Sequence, residues 1–240
     1  MSNYVILSQS AHKQTKVITE RSEKYGDNIK YAATFPLEFR NIQACYPIFF
    51  SKSSDTGEFF PIALLGFEDA ENLFLNESGW DATYIPMMVE RHPFLIGYQV
   101  SSEAEEGKKP VVSIDMDNPR VNEDAGEALF EENAQPSEFL KYIMAKLESL
   151  HQGHEHSKGF ISALTALDLL EPFTLEITLD NGSNNQLLGF YTINEEKLMQ
   201  LDGDALAGLN TNGYLQPIYM AVASYARIRA LIDKKNARLQ

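Results

Sequence analysis

Apolar and polar positions along the 240 residues change period several times, and each period predicts an element. Residues 47–51 and 59–67 are β-rich runs separated by Lys52-Ser53-Ser54-Asp55-Thr56-Gly57-Glu58, which has the composition of a hairpin loop. Phe94, Ile96, Tyr98 and Val100 alternate with Leu95, Gly97 and Gln99, and a strand returns at 111–114 after an acidic loop from Ser102 to Lys109. That is a second hairpin. Residues 173–180 and 186–193 flank Asn181-Gly182-Ser183-Asn184-Asn185, and Asn-Gly readily takes the positive φ of a tight turn, so a third hairpin is the clearest. Three antiparallel hairpins without regular strand–helix alternation predict an α+β fold on an antiparallel or mixed sheet, not a doubly wound one.

Helical spacing follows the second hairpin. Pro136-Ser137-Glu138 opens a stretch with apolar Phe139, Ile143, Leu147, Leu150, Ile161, Leu164, Leu167 and Leu170. Its middle, 151–159, is polar and holds two glycines, so the pattern reads as one long helix with a weak centre or as two helices jointed there. Asn194 is placed to cap a short helix through Leu201, 204–209 adds a turn or two, and Gly213 ends it. Pro217 suits the first turn of a terminal helix over 217–238 with Ile218, Val222, Tyr225, Ile228 and Ile232 on one stripe. Its Lys234, Lys235 and Arg238 would complement the helix dipole. Residues 1–45 give only short strand signals at 4–7 and 16–19, a turn at Tyr25-Gly26-Asp27-Asn28, and a helical pattern ending near Tyr46. No repeat or linker divides the chain, and a single domain over 1–240 is the economical reading.

Composition narrows the partners. A hydrophobic share of 44% is ample for a packed core and indicates a soluble globular protein. The net charge of −14 repels phosphate backbones and anionic lipid. With no basic stripe to reverse this locally, neither nucleic acid nor membrane insertion is expected. The start of the chain has no basic region and only a short apolar run, so a cytoplasmic location is expected. Cys45, the single cysteine, can form no internal disulfide and reads as a small buried hydrophobe.

Recognised nucleotide and hydrolase signatures are absent. His151, His154 and His156 suggest a metal, but on an unbroken helix His151 and His154 lie about 60° apart and His156 about 140° from His151, so the three cannot converge. No metal or other cofactor is expected. Asp115 and Asp117 could hold a hard cation, yet the calcium-loop pattern fails at Arg120 and Gly126, and Asp117-Asn118-Pro119 reads as a turn. The richest chemistry lies in 71–94, where Glu71, Asn72, Trp80, Asp81, Tyr84, Arg91 and His92 offer polar anchors and aromatic walls of the kind that line a ligand pocket. Alternatively Trp80, Tyr84 and Phe94 are core, and Arg91 pairs with Glu71 or Asp81. If the segment does bind, a carboxylate-bearing small molecule or peptide would meet Arg91 and change Trp80 emission.

The chain resembles the bacterial SapC family at these same residues. The resemblance rests on Tyr46-Pro47-Ile48-Phe49-Phe50, Ala63-Leu64-Leu65-Gly66, Glu71-Asn72-Leu73-Phe74, Gly79-Trp80, Tyr84-Ile85-Pro86 and Arg91-His92-Pro93-Phe94. It continues through Asp115, Gly126-Glu127-Ala128-Leu129-Phe130, Leu169-Leu170-Glu171-Pro172 and Leu188-Gly189-Phe190-Tyr191. The resemblance implies no catalytic residues, because the family has no established activity. Family genes are often found near TonB-dependent receptors, flavin-dependent tryptophan halogenases and cupin-like or JmjC-like hydroxylases, which implies a helper or modifying role in nutrient uptake or peptide modification. A permease and a saposin that share the name do not fit, since this chain has neither several membrane spans nor disulfides. Spacing alone assembles no acid/base pair or activated nucleophile, so a non-enzymatic ligand- or protein-binding accessory factor is the first reading. A hydrolase or peptide-modifying enzyme using Glu71, Asp81, Arg91 and His92 is the second. A structural surface-layer component, as the family's name implies, is third, disfavoured because no export signal is expected.

Overall fold

Ile48, Phe49 and Phe50 are consecutive and fully buried. Neighbours on a strand point to opposite faces, so the strand that carries them must be covered on both sides. A computed structural model, which describes residues 2–100 and 108–239, shows how. Phe50 meets Phe160 of a long helix with ring centroids 6.4 Å apart. Phe49 turns the other way, stacking on Phe173 at 4.8 Å and Tyr225 at 5.6 Å. Their strand, Ile48–Lys52, is central in a five-stranded antiparallel sheet ordered Leu170–Thr178, Asn184–Ile193, Ile48–Lys52, Phe59–Leu64, Tyr31–Ala33.

The chain forms two compact units, one from Met1–Asp27 and Met87–Gln152 and the other from Asn28–Pro86 and Gly153–Gln240. The five-stranded sheet belongs to the second. In the first, Phe94–Val100 pairs with Lys108–Asp115, which pairs with Tyr4–Ile6. Lys16–Val17 sits between Val121–Asn122 and Glu127–Ala128 in a smaller antiparallel sheet. This unit also contains a fully buried arginine, Arg120. Its guanidinium donates to Asp27 Oδ2 at 2.5 Å and to the Ile18 and Glu20 carbonyls. A buried cation is tolerated only with such partners.

The expected α+β fold with antiparallel sheets and packed helices is therefore observed, and all three hairpins form. Much of the expected acidic loop, 102–107, lies outside the described residues. The long helix is continuous over Glu138–Ala166. Ser137 opens it, its Oγ accepting from Leu140 N–H at 3.1 Å. Asp168 ends it in the left-handed region at φ 52°, with Leu169 N–H reaching back to Leu164 O at 2.9 Å.

The polar centre expected to weaken the helix does not break it, because its glycines are packing positions. A Cβ on Gly153 would stand 2.5 Å from Leu37 Cδ2, and one on Gly159 would collide with the Tyr214 hydroxyl. The terminal helix is jointed. Leu215–Ser224 and Arg227–Ala237 meet at Tyr225 and Ala226, where the Tyr225 hydroxyl accepts from Ile193 N–H at 2.9 Å while its ring stacks on Phe49. That tertiary anchor leaves no mark in the helical spacing. The short strand Tyr31–Ala33 likewise goes unsignalled in the sequence. Among the described residues no helix is long and apolar enough to cross a membrane.

Candidate functional site

Five of the seven residues singled out in 71–94 lie in the second unit, and their polar atoms are tied into the fold. Trp80 Nε1 donates to Tyr46 Oη at 2.8 Å, and the Tyr46 hydroxyl donates to the Tyr84 carbonyl. The Tyr84 hydroxyl donates to Glu38 Oε1 at 2.9 Å, while Thr34 Oγ1 donates to Glu38 Oε2 at 2.8 Å. Burial pushes the Tyr46 phenol well above the ordinary tyrosine pKa, so it stays protonated and serves as a link. Asn72 is fully buried and folds its own turn, Oδ1 accepting from Phe74 N–H at 2.9 Å. Glu71 Oε2 accepts from Phe67 N–H at 2.8 Å, and Lys235 donates to Glu71 Oε1 at 2.5 Å. Asp81 pairs with Lys234 at 2.5 Å. Trp80 is half-buried.

Arg91 and His92 fall in the first unit. Glu71 and Asp81 each pair with a lysine of the terminal helix, and Arg91 donates to the Phe94 carbonyl at 2.6 Å. Desolvation lowers the Arg91 pKa from its ordinary value. His92 Nδ1 stands 3.1 Å from the Val89 carbonyl. Cys45 is half-buried rather than buried, its sulfur 3.3 Å from Thr83 Oγ1. Asp115 serves a turn, Oδ1 accepting from Asn3 N–H at 2.8 Å and Asp117 N–H at 3.2 Å.

All three central histidines lie on the continuous helix Glu138–Ala166. His151 belongs to the first unit and His154 and His156 to the second. The ring of His154 lies edge-on to Phe35 at 6.4 Å and that of His156 edge-on to Tyr214 at 5.4 Å. Among the described residues no group of three or more His, Cys, Asp or Glu is placed to hold a metal ion.

What sequence reasoning missed is a cleft of about 750 Å³ within the second unit. Phe59 and Pro61 of the first hairpin and Phe35 line it with apolar surface. The helix contributes His154, Ser157, Lys158, Ile161, Ser162 and Thr165. Lys52, at the end of its strand, and Glu58 of the hairpin loop also line it. Phe59 and Lys52 are cross-strand partners, and the Lys52 ammonium lies 5.1 Å from the Phe59 ring centroid. No motif marks this constellation, because it is assembled from two hairpin strands, a loop and one helical face distant in sequence. The helical spacing of residues 154, 157, 158, 161, 162 and 165 was its one legible trace.

Comparison with known proteins gives one family, SapC, whose model matches residues 7–231. No curated protein and no solved structure matches the chain.

Proposed function

This chain belongs to the SapC family, and from that premise we propose that it is a non-catalytic binding protein whose ligand occupies the cleft between the first hairpin and residues 154–166. The cleft itself carries the reading. Its volume of about 750 Å³ falls in the range of small-molecule sites, roughly 300–1,000 Å³, and it combines apolar walls with a few polar groups, as such sites do. The reading also draws on how the carboxylates of 71–81 are engaged. Glu71 and Asp81, the acids a hydrolytic reading would need, are each spent on a lysine of the terminal helix.

Binding without chemistry suits an accessory factor that presents or sequesters a small molecule or short peptide. Its setting would be peptide modification or TonB-dependent uptake, with a halogenase, a cupin-like or JmjC-like hydroxylase or a receptor as partner. A thermal-shift screen of amino acids, short peptides and glycans tests the site. A compound that raises the Tm of the wild type should lose its effect in the double variant Ser162→Phe/Thr165→Phe, which fills the cleft from two exposed helical positions. Equal stabilisation of both proteins would place the ligand elsewhere, and turnover of a bound peptide by the purified protein would make it an enzyme.

A further inference from the structure

We infer that the cleft takes an amphipathic organic anion, a molecule with an aromatic or aliphatic body and a carboxylate-like head. This rests on the cleft being the ligand site and adds the chemical class of the ligand.

The formal charges lining the cleft run against the charge of the molecule. The whole chain carries −14, yet Lys52 and Lys158 face a single acid, Glu58, around the cleft. Potentials from distant acids are screened over about 8–10 Å at ordinary ionic strength, so a small ligand entering the cleft responds chiefly to its nearest lysines. Lys158 also pairs with Glu155 at 2.7 Å, but both side chains are more than half exposed, at 61% and 57%. Such a surface pair contributes little and gives way to a better-desolvated anion.

Lys52 is held at the boundary of the apolar surface by the Phe59 ring, which suits a ligand whose head meets the ammonium while its body lies along Phe59, Pro61 and Ile161. The Ser162 hydroxyl adds a donor for the same head, whereas that of Thr165 already donates to the Ile161 carbonyl at 2.9 Å. A cationic ligand of equal shape would meet both lysines and be rejected.

Two fluorescent probes of matched shape test this. One is 8-anilinonaphthalene-1-sulfonate, an aromatic anion. The other is N-phenyl-1-naphthylamine, its neutral counterpart without the sulfonate. Each is titrated into the full chain with excitation in the naphthalene band. The anion should bind the wild type and lose binding in Ser162→Phe/Thr165→Phe. In Lys52→Gln/Lys158→Gln its affinity should fall about tenfold or more, while the neutral probe changes less than about threefold. Unchanged circular dichroism and Tm confirm that the variants are folded.

If both probes depend on the cleft but neither responds to removal of the lysines, the anion inference is overturned and the cleft reading stands. If neither probe is sensitive to filling the cleft, or neither binds, the site assignment fails and the inference falls with it.

Discussion

A glycine inside a helix ordinarily costs about 1 kcal/mol relative to alanine, so Gly159→Ala would stabilise an isolated helix. Here the sign should reverse. The missing Cβ makes room for the Tyr214 hydroxyl, and that ring cannot swing away cheaply because it lies against Phe160 at 5.7 Å and His156 at 5.4 Å. Overpacking of this kind costs about 1–3 kcal/mol. Gly159→Ala is therefore expected to destabilise the chain by about 1 kcal/mol net in urea denaturation. In a Tyr214→Phe background the ring carbon that remains would be 3.4 Å from the new methyl, an ordinary contact, and the same substitution should turn neutral or stabilising. The two glycines were visible in the sequence, but their meaning was not, because composition cannot separate a helix breaker from a helix that yields space to a partner. Local rules worked where the partner is also local. Asn194 caps its helix as its position suggests, accepting from Lys197 N–H at 2.8 Å, and Gly182 takes φ 83° in the Asn-Gly turn.

Elements show the same division between local and distant causes. Hairpins were legible because alternation and turn residues specify both strands and the join, and Leu175↔Leu187 and Ile177↔Asn185 hold the third in register. The last helix was legible as a helix, but the work of its cations was not. Lys235 donates to Glu68 at 2.8 Å and Glu71 at 2.5 Å, Lys234 pairs with Asp81, and Arg238 donates to the Asn72 carbonyl at 2.8 Å. Together they tie the helix to residues 68–81 rather than merely opposing its dipole. Burial works against the charge of Lys235, yet its bonds to Glu68 and Glu71 outweigh this and raise its pKa. Its contribution is therefore complete below the pKa of a free lysine, about 10.4, and is lost as pH climbs through the higher folded value. Glu68 is shifted down by the hydrogen bonds from Lys235 and Asn185, so its share is present above about pH 4.3 and is lost as pH falls through the folded value. Lys235→Met should cost about 1–2 kcal/mol at pH 7. The gap to wild type in urea midpoint should narrow as pH rises past the free-lysine value of about 10.4 and again as it falls below the free-glutamate value of about 4.3. A gap constant across that range would mean that Lys235 acts through packing alone.

At the scale of the molecule, one helix serves two cores. Along Glu138–Ala166, Leu140, Ile143, Leu147 and Leu150 are buried in residues assigned to the first unit, and Phe160 and Leu164 in residues assigned to the second. A helix gains its stability from the face it buries and is expensive to nucleate, so losing either core exposes half of that face and weakens the register of the rest. We predict that the two units unfold together. Trp80, the single tryptophan, lies in the second unit and reports on it without labelling. Hydrogen exchange at Phe94–Val100 reports on the first. In urea, Trp80 emission and exchange protection in that strand should share one midpoint, and Gln152→Pro, placed in mid-helix, should lower both together by about 3 kcal/mol or more. Two separated midpoints, or a proline that shifts only one of them, would mean that the helix is shared in sequence but not in energy. The α+β chain would then behave as two domains rather than the single one its unbroken composition suggests.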